Sequence, residues 1–134
     1  MKYIISLFIV MCSLQVLAVS EVDLYALQHE VLPKEKGMSV ILFYNSDINN
    51  YRPLLEQLEY AEQNLHDVEI KYYKTDVILY SRSRYYRGKP TLVITYGRRP
   101  LAEVDFVWPQ KKTFVTFLIM VKIKIEKMLL EKKI

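Results

Sequence analysis

Few side chains in this sequence are of the types that catalysis uses. Among its 134 residues there is one cysteine, Cys12, and there are two histidines, His29 and His66. The histidines stand far apart, among polar neighbours with helical spacing and outside any ligand-spaced cluster, so we expect both to be solvent-exposed. Cys12 lies inside an apolar N-terminal run, and the rest of the chain has no thiol for disulfide, thiolate or cysteine–metal chemistry.

Short polar residues follow one of the apolar runs, at Asp47, Asn49 and Asn50. Oxygen donors of this kind can ligate a metal ion, but at a strand-to-helix turn they more often serve as caps and turn formers. The serines, such as Ser46, have neither a nearby histidine nor the glycines of a nucleophile elbow. The sequence therefore predicts no enzyme, no metal site and no cofactor.

A basic segment interleaved with tyrosines is the next group with chemical potential. No acid occurs between Asp76 and Glu103, and the cations in that interval are Arg82, Arg84, Arg87, Lys89, Arg98 and Arg99. This composition is typical of patches that bind single-stranded nucleic acid, acidic peptides or phosphate. A solvated basic face is the plainer alternative. We keep Arg82, Arg84 and Arg87 as a candidate anion site, with nucleic acid the less favoured ligand.

The pattern of the first 20 residues predicts a targeting segment. Lys2 precedes an apolar run from Tyr3 to Val19, and small residues at Ala18 and Ser20 suit cleavage by signal peptidase near Ser20. The alternative is an anchor that is retained in the membrane. The first interpretation places the protein in the secretory pathway or outside the cell membrane: in the endoplasmic reticulum lumen, the periplasm or the extracellular space.

The chain accordingly divides into a segment at 1–20 and one domain at 21–134, which is long enough to bury its own core. If the segment is retained, residues 3–19 are the expected contact with the membrane. The formal net charge of the whole chain is +4, which by itself is not a nucleic-acid signature.

Apolar periodicity predicts alternating strands and helices in the domain. We expect strands at 21–25, 39–44, 68–73, 91–96 and 101–108, helices at 25–32, 50–65 and 113–132, and a helix or loop at 77–88. A strand–helix–strand order implies parallel pairing, and the closing hairpin must be antiparallel. The result is a mixed sheet of four to five strands flanked by helices. In the last helix the predicted core stripe is Phe114, Phe117, Leu118, Val121, Ile125, Met128 and Leu129.

These segments, in this order, resemble a thioredoxin-like domain over essentially all of 21–134. The matching segments are 40–44 for the central strand, 53–58 for the long helix, 68–76 for the next strand and 84–97 for the proline loop and the strand after it. The resemblance implies an α/β three-layer sandwich. It also implies a cis peptide bond between Lys89 and Pro90, beside which an extended peptide would bind.

The sequence departs from the family at the redox site. The family's cysteine pair lies between the central strand and the long helix, but residues 45–52 contain no cysteine, and the segment is shorter. The acidic group that the family buries before the strand phenylalanine is Leu42 here. Because thiol–disulfide exchange requires a thiolate, the resemblance is to a redox-inactive member.

We therefore expect a non-catalytic domain that binds a protein or peptide partner in a chaperone, escort or assembly role. The predicted peptide-binding surface consists of Tyr44, Ile48, Tyr51, Lys89, Pro90 and Trp108. Aromatic residues of this kind often carry interface energy, and backbone groups beside a proline can pair with an extended chain. The alternatives are a membrane-tethered structural subunit and an anion or nucleic-acid binder acting through residues 82–89.

Overall fold

The computed structural model describes residues 19–78, 86 and 88–131. Its elements in chain order are β1 (Ser20–Glu21), α1 (Leu24–Ala26), β2 (Met38–Tyr44), α2 (Arg52–Asn64), β3 (Ile70–Asp76), β4 (Thr91–Tyr96), β5 (Arg99–Val104) and α3 (Lys111–Leu130). Helix α1 continues as a π turn (Leu27–Val31) and a 3-10 turn (Leu32–Lys34). The expected signal segment up to residue 18, with Cys12, lies outside the described residues, as do Arg82, Arg84 and Arg87.

The five strands form one mixed sheet in the order β1-β3-β2-β4-β5. Strand β3 is parallel to both β1 and β2, whereas β4 is antiparallel to β2 and to β5. The parallel pairing and the antiparallel closing hairpin that the element order predicts are both confirmed.

Helical segments cover both faces of the sheet, so the domain has three layers. On one face α2 and α3 pack on side chains such as Val40, Leu42 and Ile94. On the other face the α1 segment packs on the alternate side chains, such as Ile41 and Val93. All seven residues of β2 are buried, as expected for a central strand covered on both faces.

The helices begin where local chemistry favours them. Asp23 caps α1, because its carboxylate accepts a hydrogen bond from the backbone N–H of Tyr25 at 3.0 Å. Pro53 stands in the first turn of α2, where its missing N–H has no intrahelical partner to lose. Leu54, Leu58 and Ala61 then form the buried stripe of α2 at helical spacing.

The last strand is shorter than the sequence predicts. It ends at Val104, which pairs with Leu92, so the expectation of a strand reaching residue 108 is wrong. The reason lies in its neighbour: β4 begins at Thr91, and Pro90 before it has no N–H for a longer ladder. Residues 105–108 instead leave the sheet.

The Lys89–Pro90 peptide bond is trans. None of the described peptide bonds is cis, so the cis geometry that the resemblance implied is wrong. The chain reverses just before the proline at Gly88, whose φ of 91° suits a residue without a Cβ. With the turn made there, the bond keeps the trans geometry that X–Pro bonds prefer.

Helix α3 confirms the predicted stripe only in part. Phe114, Leu118 and Ile125 are buried, whereas Leu129 is 38% exposed. No helix within the described ranges is long and apolar enough to cross a membrane.

Candidate functional site

One edge of the sheet collects the ends of four strands. The register pairs Tyr44 with Asp76, so β2 and β3 end side by side. It also pairs Phe43 with Thr91 and Leu92 with Val104, which brings the start of β4 and the end of β5 to the same edge. We call this the strand-end edge. All six residues predicted to bind peptide lie on its strands or in the segments that adjoin them.

Two of the predicted residues, Tyr44 and Tyr51, are in tilted ring contact there. Their ring centroids are 4.6 Å apart, but Tyr44 is only 5% exposed. The Tyr44 hydroxyl donates a hydrogen bond to Oε1 of Glu21 at 2.6 Å. Burial, and then this bond to Glu21, raises the pKa of Tyr44 far above its ordinary value. Tyr44 is thus a neutral support beneath Tyr51 rather than a contact residue.

The turn between β2 and α2 is held by Asp76, which the sequence did not single out, and by Asn49, which it offered as a metal ligand or a turn former. Oδ1 of Asp76 accepts from the backbone N–H groups of Ser46 and Ile78, at 3.1 Å each. Oδ1 of Asn49 accepts from Nε of Arg52 at 2.9 Å. Within the described ranges, no group of three or more histidine, cysteine, aspartate or glutamate side chains is placed to hold a metal ion.

The proline loop meets the segment that follows β5. Nζ of Lys89 lies 2.8 Å from Oδ2 of Asp105, and both side chains are substantially exposed. The hydrogen bond and the charge of Lys89 lower the pKa of Asp105. Pro90 itself is buried, so its ring faces the protein and is not offered to a ligand.

Trp108 belongs to the packing between this segment and α3. Its ring centroid lies 4.6 Å from that of Phe106, 5.7 Å from that of Phe114 and 5.5 Å from that of Phe117. No contact joins it to Tyr51 among the described ring pairs. Trp108 is therefore half-buried and packs against Phe106. It was predicted to share a surface with Tyr44 and Tyr51, but its ring contacts lie with Phe106 and α3 instead.

A buried glutamine fixes the segment that contains Trp108. Gln57 of α2 is fully buried, and its Oε1 accepts from the backbone N–H of Trp108 at 3.0 Å. Its Nε2 donates to the carbonyl oxygen of Phe106 at 3.4 Å. The sequence shows Gln57 only as a polar residue beside an apolar stripe, so its role could be found only from the structure.

Exposed apolar side chains lie in the segments that follow the ends of β2, β3 and β5. Ile48 is 43% exposed, Ile78 41%, Phe106 51% and Val107 40%. Ile48 was predicted, but Ile78, Phe106 and Val107 were not. The signal that could have found two of them is the run of Phe106, Val107 and Trp108 before a proline, because three consecutive apolar residues outside a covered strand cannot all face inward.

Comparisons with known proteins support the fold alone. No family model matches the sequence, and no curated protein matches it. The crystal structure of ERdj5 form II, a thioredoxin-domain protein, matches with a TM-score of 0.60 and 16% identity over 80% of this chain. The chain spans only 15% of the length of that protein. A designed protein matches over 78% of this chain and 97% of its own, with 22% identity and a TM-score of 0.49.

The fold is α/β, with a mixed five-stranded sheet flanked by helices, and it is of the thioredoxin-like type. At this level of identity the likeness carries no statement about activity or partner.

Proposed function

We propose that this thioredoxin-like domain is non-catalytic and binds polypeptide at the strand-end edge. The observation that carries the proposal is the apolar rim formed there by Ile48, Ile78, Phe106 and Val107, each at least 40% exposed. Isolated exposed apolar residues are ordinary, but a group at one edge of a sheet is typical of interaction sites.

The supports beneath the rim suit recognition of a chain rather than chemistry. Tyr44 is neutral and tied to Glu21, and Asp76 is occupied by two backbone N–H groups. The segment where the family carries its redox pair, residues 45–52, has no sulfur to attack a disulfide. What this edge offers a partner is apolar area and the paired charges of Lys89 and Asp105.

Of the residues named from sequence, three retain a direct role in the proposal. Ile48 and Tyr51 lie at the turn into α2, and Lys89 lies at the proline loop. Tyr44, Pro90 and Trp108 act through the residues that they support. Phe106 and Val107 replace them as contacts, because their side chains face solvent.

The test uses an unfolded polypeptide of known composition as the probe. Binding of fluorescently labelled, reduced and carboxymethylated α-lactalbumin is measured by anisotropy with the full chain. The double variant Phe106→Ser and Val107→Ser should weaken binding about thirtyfold, since each partly buried side chain contributes roughly 1 kcal/mol. The matched control is Tyr25→Ser, which removes an apolar side chain that is 60% exposed on the α1 segment.

Equal losses in the variant and the control would overturn the proposed surface. Loss of binding together with a lower midpoint of urea unfolding would show that the variant acts through folding. In that case the single change Ile48→Ser, at an exposed turn, decides between the two explanations.

We place this function in the secretory or exported compartment, on the support of the apolar run that precedes the domain. Val19, the last residue of that run, packs against the core, and Ser20 pairs with Tyr73, so the run leads directly into the domain. Mass spectrometry of the protein recovered from its native compartment tests this directly. An intact Met1 would favour the retained anchor instead.

A further inference from the structure

Helix α3 is apolar on two sides. A helix turns by about 100° per residue, so Ile119, Ile123 and Leu130 lie within about 40° of one another, and Met120 lies beside them. These four residues, which we call the outer face, point away from the buried residues Phe114, Leu118 and Ile125. Their exposures are 38% for Ile119, 63% for Met120, 58% for Ile123 and 85% for Leu130.

The outer face continues into a groove beside the helix. A cavity of about 530 Å³ lies between α3 and β5, and its apolar lining includes Phe117, Val121 and Met128. Leu101 of β5 also lines it and is 40% exposed. A surface helix normally turns polar side chains to solvent, and a large group of exposed apolar side chains marks an interaction site.

The charges around this surface are mostly positive. Lys112, Lys124 and Lys127 are exposed on α3, and none of them forms a salt bridge with another described residue. Arg99 and Lys124 line the groove, and none of its described lining residues is acidic. Glu126, the single acid within α3, lies within about 20° of Ile119 on the helix, but it is 3.9 Å from Lys122, which balances its charge. Glu131 follows the helix, so the unpaired cations still leave this surface net positive. Charge complementarity therefore requires an anionic cover.

A second copy of the chain does not meet that requirement. Two outer faces packed together would bring the lysines of both helices into one interface, and like charges oppose such an association. A bilayer with anionic headgroups does meet it. An interfacial helix inserts apolar side chains between the lipids while the lysines beside them reach the headgroups.

We propose that the outer face of α3 docks the domain peripherally on an anionic membrane surface. The helix lies in the plane of the interface, with Met120 and Ile123 inserted and Lys124 and Lys127 at headgroup level. This goes beyond the proposed function, because the surface is distinct from the strand-end edge. It also goes beyond the sequence-based expectation, which confined membrane contact to residues 3–19.

The experiment reads insertion at α3 itself, so that binding through the N-terminal run cannot imitate it. The full chain carries Cys12→Ser and a nitroxide at Ile119→Cys, or, as the matched control, at Ile48→Cys, which is similarly exposed. Large vesicles of phosphatidylcholine with 30% phosphatidylserine are compared with pure phosphatidylcholine. The label at position 119 should become accessible to oxygen and protected from a nickel complex on the anionic vesicles alone. The label at position 48 should stay aqueous on both.

Variants then separate the electrostatic contribution to vesicle binding from the apolar contribution. In co-sedimentation with the anionic vesicles, Lys124→Glu with Lys127→Glu should lower the partition coefficient by at least about twentyfold, because each lysine near the surface contributes about fivefold. Met120→Gln with Ile123→Gln should lower it by about tenfold. Arg52→Glu, an exposed cation on α2, serves as the control and should cost much less.

If the label at position 119 remains aqueous on bound protein, the proposal is overturned. It is equally overturned if the protein is a dimer in sedimentation velocity without lipid and Met120→Gln with Ile123→Gln makes it a monomer, because the occupant is then a second copy. Equal binding to neutral and anionic vesicles would remove the electrostatic basis of the proposal and would also count against it. Loss of peptide binding at the strand-end edge affects none of these outcomes.

Discussion

The strand-end edge and the outer face of α3 both expose apolar side chains, but their surroundings differ. At the edge, Lys89 forms an ion pair with Asp105, and Oδ1 of Asp76 accepts hydrogen bonds from two backbone N–H groups. Around the outer face, Lys124 and Lys127 have no acidic partner among the described residues. Similar exposure therefore points to different partners, because the neighbouring charges decide what kind of surface can cover it.

The two regions also differ in how they are held. The outer face consists of consecutive turns of one helix, whose backbone bonds do not depend on any one side chain. The edge consists of turns and irregular segments positioned by single side chains such as Gln57 and Asp76. One substitution can therefore displace the edge without altering the outer face.

The largest expected effect comes from Gln57→Ala. It leaves the N–H of Trp108 and the carbonyl of Phe106 without their partner, and we expect the free energy of unfolding to fall by about 2–4 kcal/mol. Urea denaturation measures it, with Gln63→Ala, an exposed change on the same helix, as the control. Polypeptide binding should fall as well, whereas the variant that remains folded should bind anionic vesicles as before. Parallel loss of both activities would mean that the two regions are not independent.

Salt should weaken vesicle binding at the outer face more than polypeptide binding at the strand-end edge. Raising ionic strength from about 0.05 to 0.5 M shortens the screening length from roughly 14 to 4 Å. Vesicle binding should then weaken by at least about tenfold, because roughly three unpaired cations contribute to it. Binding of the unfolded polypeptide at the edge should change little, since apolar area dominates there. The opposite ranking would reverse the assignment of the two partners.

A buried acid of α2, Glu62, provides a pH-dependent prediction that should leave both surfaces unchanged. Glu62 is 7% exposed, and its Oε2 has no hydrogen-bond partner among the described atoms. Burial, and then the charge of Glu59, raises its pKa above the ordinary 4.5. The folded chain thus holds this proton to a higher pH than the unfolded chain, so stability falls as pH rises from 4.5 through the raised value.

The change Glu62→Gln should therefore raise the melting temperature at pH 7 and have no such effect near pH 4. Thermal unfolding followed by circular dichroism across this interval measures it, with the exposed Glu56→Gln as the control. A lower melting temperature for Glu62→Gln at pH 7 would show that the carboxylate is stabilised rather than strained. Tyr72, whose pKa is raised by burial and by Glu62, is the neighbour that would supply such a bond.

The smallest expected effect is at the ion pair of the edge. Lys89→Met removes the cation that lowers the pKa of Asp105, so this pKa should return towards its ordinary 3.8. Carboxyl chemical shifts followed by NMR during an acid titration measure the change. Stability should barely alter, because exposed ion pairs contribute little. An unchanged pKa would show that Lys89 and Asp105 are not paired in solution.

The fold was largely predictable from the sequence, and the site only partly. The run of apolar residues in β2 can be satisfied only by cover on both faces, so its central place follows from composition. Ile48 and Tyr51 follow from their position at the end of that strand. Phe106 and Val107 were assigned to a strand, because the sequence does not show the hairpin register, which sets Val104 opposite Leu92 and so leaves them no partner in β4.

What the sequence by itself determined is the set of elements, their order, and the absence of a thiol from residues 45–52, because periodicity and residue type are local properties. What only the tertiary structure decided is which apolar side chains remain uncovered. Ile123 and Ile125 differ by two positions in one helix, yet the first is 58% exposed and the second 5%. Ile125 faces the core between α3 and the sheet, whereas Ile123 faces away from it. Burial therefore depends on what the rest of the chain places against each side of the helix.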